Sequence, residues 1–217
     1  MGIYRYAIFD LDGTLLDTAQ DLADSVNHAL ELSQYPLRSL DEIKSFVGNG
    51  VANLVSLAVP EGTSEPNIGK VLSDFRLHYA SNMDNLTKPF PGIIPLLQQL
   101  KDAAITVSIS SNKFQEGVEL LCEKHFPNLY VAAFGEREGI ARKPDPAIVY
   151  TALQVLDAKP KETLYIGDSE VDAQTAKNAG IDFVGVSWGL RPAQLLRANG
   201  ALEVVESPHQ LAALFGL

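Results

Sequence analysis

Cysteine occurs once in the 217 residues, at Cys122. No internal disulfide can therefore form, and a reducing cytoplasm is the expected location. Cys122 closes the apolar run Gly117-Val118-Glu119-Leu120-Leu121-Cys122, where a buried, inert thiol is expected rather than a nucleophile. Long hydrophobic runs are also missing. Nothing approaches the length of a membrane span, so no membrane association is expected. The first apolar segment, Tyr6 to Phe9, is short and runs into Asp10 and Asp12, unlike a secretory leader. Cations are scarce: 17 Lys and Arg against 27 Asp and Glu give a net charge of −10. With no basic patch, nucleic acid is not an expected partner. An anionic small molecule stays open, because a bound divalent cation can reverse the local field. The four histidines, His28, His78, His125 and His209, are scattered without metal-ligand spacing.

What is present is an ordinary globular composition, 46% hydrophobic and 20% charged, enough to bury a core without covalent staples. Runs rich in Val, Ile, Tyr and Phe predict strands at Tyr4–Phe9, Ile105–Ser110, Tyr130–Phe134, Thr163–Ile166, Phe183–Val186 and, more weakly, Leu202–Val205. They are continuous rather than alternating, as parallel strands covered on both faces are. Helical patterns fall between most of them: Ile93–Ala103; Pro146–Leu156, with Asp145 as N-cap and Pro146 at its first position; and Val171–Ala179, stopped by Gly180. This alternation predicts an α/β fold, a doubly wound, mostly parallel sheet.

About 90 residues separate the first two strands, far more than one crossover helix requires. The interval reads as helices at Thr18–Leu32, with an apolar face of Leu22, Val26, Ala29 and Leu30, and at Asp41–Val47, Val51–Ala58 and Asn67–Tyr79. The expected organisation is an α/β core formed by residues 1–15 and 89–217, with residues 16–88 inserted as a helical cap.

Four segments carry the polar chemistry. The first strand ends in Asp10-Leu11-Asp12-Gly13-Thr14, and in open α/β sheets ligands bind at the carboxyl ends of strands. Two acids there are awkward for stability alone, and Gly13 lets the chain turn sharply after them. An Asp-Gly turn is nonetheless common. The second strand ends in Ser110-Ser111-Asn112-Lys113; its hydroxyl and amides suit phosphoryl oxygens, but equally a helix cap. Lys143, followed by Pro144, is kept extended and by default would be a solvated lysine. The fourth strand ends in Gly167-Asp168, with Asp172 four residues on, where it would favour the helix dipole if nothing more. Together these put acids at two strand ends and a hydroxyl and a lysine at two further loops, and the gathered carboxylates suit a hard cation such as Mg²⁺.

In this order, Asp10-Leu11-Asp12-Gly13-Thr14, Ser111-Asn112, Lys143-Pro144 and Gly167-Asp168 with Asp172 resemble the four motifs of the haloacid dehalogenase superfamily. The insertion resembles the helical cap of its subgroup containing phosphoglycolate phosphatases and β-phosphoglucomutases. The run Tyr165-Ile166-Gly167-Asp168-Ser169-Glu170-Val171-Asp172, and Val47-Gly48-Asn49-Gly50 in the cap, are most similar to the phosphoglycolate phosphatase branch. The resemblance implies Mg²⁺-dependent hydrolysis of a small phosphorylated metabolite through an aspartyl-phosphate. Asp10 would be the nucleophile. Asp12 would be the general acid and base, its pKa raised by neighbouring carboxylates and the substrate dianion. Mg²⁺ would be held by the carboxylates of Asp10 and Asp168 and the backbone carbonyl of Asp12. Asp172 would act behind those ligands. Ser111, Asn112, Lys143 and Gly13 would contact the phosphoryl group.

Asp12 also separates the chain from the dehalogenases of the superfamily, which lack a second acid at that position. Within the cap, Gly48-Asn49-Gly50 lacks the third glycine and the preceding strand of a dinucleotide loop. Gly48 and Asn49 are expected either to close over substrate or to form a helix–helix turn. Lys44 is expected either to meet a substrate carboxylate or to lie on a solvated face. Trp188, in Ser187-Trp188-Gly189-Leu190-Arg191, is expected to be ordinary packing. A sugar-phosphate mutase or pyrophosphatase on the same core, and a phosphoacceptor signalling or binding module, are the alternative functions. The chain is expected to be a monomer or homodimer.

Overall fold

The computed structural model describes residues 4–217, which divide into two compact units: residues 4–16 with Pro89–Leu217, and Asp17–Lys88.

The first unit contains a six-stranded sheet. Its strands are β1 (Tyr6–Phe9), β4 (Thr106–Phe114), β5 (Ala132–Glu136), β6 (Thr163–Gly167), β7 (Asp182–Val186) and β8 (Glu203–Val205). The order is β5-β4-β1-β6-β7-β8, every pairing parallel. Two-residue strands β2 (Leu16–Asp17) and β3 (Lys88–Pro89) form a separate ribbon. Side-chain alternation sorts the sheet's residues onto its two faces. Ala7, Phe9, Val107, Ile109 and Ile166 join one cluster with α5 (Ile93–Asp102), α6 (Gln115–His125) and α10 (Pro208–Leu214). Ile8, Tyr165 and Phe183 join the other with α7 (Ala147–Leu156) and α8 (Glu170–Ala179). Two helix-covered faces explain the unbroken apolar strands. The short α9 (Ala193–Ala198) packs against β7 and β8.

The second unit holds α1 (Ala19–Leu32), α2 (Leu40–Phe46), α3 (Gly50–Ala58) and α4 (Glu65–Asn82). The α1 face anticipated from sequence is buried at Leu22, Val26, Ala29 and Leu30. On α4, Phe75 and Tyr79 stack with centroids 5.2 Å apart, the i,i+4 spacing of a helix face. A capping box between Ser39 and Glu42 starts α2.

Several boundaries differ from expectation. β4 runs to Phe114 rather than Ser110, because β5 continues alongside it through a register shift to Phe114–Glu136. α4 starts at Glu65, since Pro66 is tolerated in a first helical turn. α7 begins at Ala147, one residue later than read; Pro146 takes the N-cap position, and Asp145 Oδ1 accepts from Ala147 N at 2.9 Å. Helices α6, α9 and α10 were not anticipated.

Candidate active site

Strand β1 is held on both sides by backbone pairing, and Asp10 N donates to Ile166 O at 2.8 Å. The strand therefore delivers Asp10, 5% exposed, to the carboxyl edge of the sheet. Its neighbour is Lys143. The Lys143 ammonium lies 2.7 Å from Asp10 Oδ1, 2.7 Å from Asp172 Oδ1, 3.1 Å from Ser110 O and 3.2 Å from the Tyr165 hydroxyl. This lysine is buried, and its solvated reading is overturned. Its backbone is clamped by one side chain: Asn112 Oδ1 accepts from Lys143 N at 2.9 Å, and Asn112 Nδ2 donates to Lys143 O at 3.1 Å. The Lys143–Pro144 peptide is cis.

Asp168 leaves the end of β6, 1% exposed. Its Oδ2 accepts from Leu190 N at 2.6 Å, and its Oδ1 from Thr14 Oγ1 at 3.3 Å. Glycine is required beside it. A Cβ on Gly13, which has φ +90°, or on Gly189 would fall on the Asp168 side chain. Trp188, read from sequence as packing, also donates from Nε1 to Thr14 O at 3.0 Å, tying its loop to the turn after β1.

Asp172 does more than favour the dipole of α8. Its Oδ2 accepts from the Ser169 hydroxyl at 2.5 Å in a capping box, while Oδ1 takes Lys143 and, at 3.2 Å, the Tyr165 hydroxyl. Ligand atoms of Asp10, Asp168 and Asp172 all lie within 4.8 Å of one another.

Three buried carboxylates share one adjacent ammonium, and the electrostatics follow. Burial raises the pKa of Asp10 well above its ordinary value, with Asp172 adding repulsion that Lys143 only partly offsets. Burial, then Asp172, pushes Asp168 up to about 7, against the lowering effect of the Leu190 amide. Burial opposes the charge on Lys143, but Asp10 and Asp172 outweigh it and raise its pKa. The Tyr165 hydroxyl is raised mainly by burial and stays neutral. Such a cluster is short of positive charge, and its oxygen donors fit a hard divalent cation.

Asp12 stands apart from this cluster. Lys113 Nζ is 2.8 Å from its Oδ1, and the Ser111 hydroxyl donates to Oδ2 at 3.4 Å. The immediate neighbour of this carboxylate is a cation, where carboxylates had been expected, because β4 extends far enough to present Lys113. Ser111 Oγ also accepts from Lys113 N at 3.1 Å. Neither Ser111 nor Asn112 caps α6, whose N-cap is Phe114 without a side-chain bond. Asp10, Asp12, Ser111, Asn112, Lys143, Asp168 and Asp172 thus converge at one edge of the sheet. Lys44, in the last turn of α2, and Gly48 and Asn49, in the turn from α2 to α3, belong to the other unit.

Lys113, Tyr165 and Gly189 carried no sequence-derived role. For Tyr165 a signal existed: strand alternation sets it opposite Ile166, on the face from which Lys143 and Asp172 reach it.

Residues 7–186 match the model of the family described as haloacid dehalogenase-like hydrolase. The phosphoglycolate phosphatase of Rhodobacter capsulatus is 33% identical over 214 residues, covering 97% of this chain and 94% of that protein. That of Mesorhizobium japonicum is 34% identical over 188 residues, covering 84% and 82%. A crystal structure from Lactobacillus delbrueckii superimposes with a TM-score of 0.93 at 35% identity, covering 98% of each chain.

Proposed function

The chain belongs to the haloacid dehalogenase-like hydrolases and is a phosphatase, and from that premise we propose that it hydrolyses 2-phosphoglycolate with Asp10 as nucleophile. The observation that carries this reading is the bridge from Lys143 to Asp10 and Asp172 beside Asp168, which gathers a loop lysine with acids from the ends of β1 and β6 and the first turn of α8. The names of the similar enzymes support the substrate.

The carboxylates of Asp10 and Asp168, with the backbone carbonyl of Asp12, would hold Mg²⁺, and Asp172 would stand behind them. When bound, the ion offsets repulsion between the nucleophile and the phosphate dianion. A carboxylate oxygen of Asp10 attacks phosphorus, and the bond to the leaving oxygen breaks as Asp12 supplies that oxygen with a proton. Water then attacks the aspartyl-phosphate, giving a proton to Asp12. The phosphorus–Asp10 bond breaks, releasing phosphate and restoring both acids. Lys143 keeps the nucleophile oriented and adds positive charge beside the transferring group. The Ser111 hydroxyl and the Asn112 amide bind its oxygens, with Gly13 alongside. Lys44, Gly48 and Asn49 are assigned to substrate contact from the insert. Action in the cytoplasm fits the substrate, and among the described residues no helix is long and apolar enough to cross a membrane.

The test is phosphate release from a panel of phosphorylated metabolites, with and without EDTA. Greatest kcat/KM on 2-phosphoglycolate, lost with EDTA and restored by Mg²⁺, is expected. Preference for a sugar phosphate, with transfer to a second sugar hydroxyl instead of water, would replace the hydrolase with a mutase.

A further inference from the structure

Two lysines are buried at this edge of the sheet, and only one has been given a task. Lys143 spends its hydrogen bonds on Asp10, Asp172, Ser110 O and Tyr165. The Lys113 side chain is equally withdrawn, 3% exposed, and its ammonium meets Asp12 at 2.8 Å. An ammonium so far from water is costly unless a carboxylate faces it, so the contact is a strong restraint on both side chains. The backbone beneath it is restrained too. Ser111 Oγ accepts from Lys113 N, and β5 passes so close that a Cβ on Gly135 would lie 2.6 Å from Lys113 O. Asp12 is thus met by the Lys113 ammonium at Oδ1 and by the Ser111 hydroxyl at Oδ2.

We propose that Lys113 is the positioning residue for proton transfer, anchoring the carboxylate that gives the proton to the leaving oxygen and later takes one from water. The inference rests on the assignment of Asp12 as acid and base. Lys113 acts through Asp12, while Lys143 serves the nucleophile, so the two lysines divide the two halves of the chemistry. An unanchored Asp12 would sample other rotamers, and the loss would be felt wherever the leaving group needs its proton.

The experiment is rapid-quench single turnover of the phosphorylation step with Mg²⁺ present, on 2-phosphoglycolate, phenyl phosphate and p-nitrophenyl phosphate. The two aryl esters share a shape and differ in leaving-group basicity, which keeps the test independent of the natural substrate. Wild type, Asp12→Asn, Lys113→Met, Lys113→Arg and the Asp12→Asn/Lys113→Met double variant are compared. General acid catalysis is worth about 10²–10⁴-fold, so Lys113→Met is expected to lose at least about tenfold more rate on phenyl than on p-nitrophenyl phosphate. The double variant is expected to be no slower than Asp12→Asn, and Lys113→Arg to recover part of the difference. Equal losses on all esters in Lys113→Met, while Asp12→Asn discriminates among them, would overturn the positioning role and leave the acid–base assignment standing. If Asp12→Asn itself fails to discriminate, the assignment of Asp12 falls and the role of Lys113 with it. Should Lys113→Met not fold, the decision passes to Lys113→Arg: a loss graded with leaving-group basicity supports the proposal, and an equal loss on every ester overturns it.

Discussion

At the scale of single residues the site is a problem of unlike charges in short supply. Asp10→Asn removes one of three clustered carboxylates while preserving shape. Phosphate release is expected to fall to background, yet the metal-free protein is expected to melt no lower than wild type, because like-charge repulsion is relieved and Lys143 keeps Asp172. Melting curves beside activity assays check both halves; turnover near the wild-type rate would remove Asp10 from its role. The acids could be found in the sequence because each follows a strand-like run and strand ends converge in such sheets. The partners of those acids could not. The sequence points to the amide of Asn112, whereas its side chain grips both polar groups of the Lys143 backbone. Lys113 carries no such signal, because the apolar run that marks β4 stops at Ser110, three residues short of it. That strand continues through polar residues, and a polar, buried strand end has no signature in hydrophobic periodicity.

Elements set the spacing that residues cannot set for themselves. The turn after β1 and the loop carrying Gly189 both close on Asp168, and each approaches through a glycine. Gly189→Ala is expected to push Asp168 aside, raising the Mg²⁺ needed for half-maximal activity at least about tenfold, a misplacement effect of the kind that distance-sensitive catalysis shows. Gly69→Ala provides the contrast. A Cβ there meets nothing within 4 Å, in the interior of α4, and helix propensity predicts a gain of about 0.5–1 kcal/mol. Melting temperature should rise with kcat unchanged, and a Gly69→Ala protein that loses stability would show α4 to be more crowded than described. The strands and the strong helices were legible because their apolar residues recur with a clean period. Helices α6 and α10 were not: α6 carries Gly117 and several acids among its apolar positions, and α10 is only seven residues long. Both are fixed by the core they cover, which is tertiary information.

For the molecule as a whole, the acid cluster links stability to pH and metal. Asp168 is held up to about 7 against an ordinary 3.8, and Asp10 moves in the same direction. The contribution of Asp168 to the stability of the metal-free fold is therefore complete below about pH 4 and lost as pH rises through about 7, and Asp10 acts in the same direction. Mg²⁺ binds the charged carboxylates and competes with those protons, so its affinity is expected to climb as pH rises through about 7. The thermal shift given by saturating Mg²⁺ is expected to be larger at pH 8 than at pH 5. Equal shifts at the two pH values would place the ion elsewhere. Overall architecture was legible at this scale: continuous apolar strands alternating with helices led to the parallel sheet that the structure contains.

The position of β1 at the middle of that sheet also has a history built into it. Tyr6 pairs with Thr106 on one side and Thr163 on the other, so the strand bearing Asp10 leads the chain but finds its second neighbour some 150 residues downstream. Contacts so distant in sequence form slowly. Asp17–Lys88, a compact unit continuous in sequence, is complete as a segment much earlier during synthesis. Until β6 emerges, Tyr6–Phe9 has an open flank of backbone donors and acceptors, the kind of edge that captures other strands. Among the strands of the sheet, β1 is thus the one that waits for two distant neighbours, and the order in which they arrive decides how long Asp10 stays unplaced.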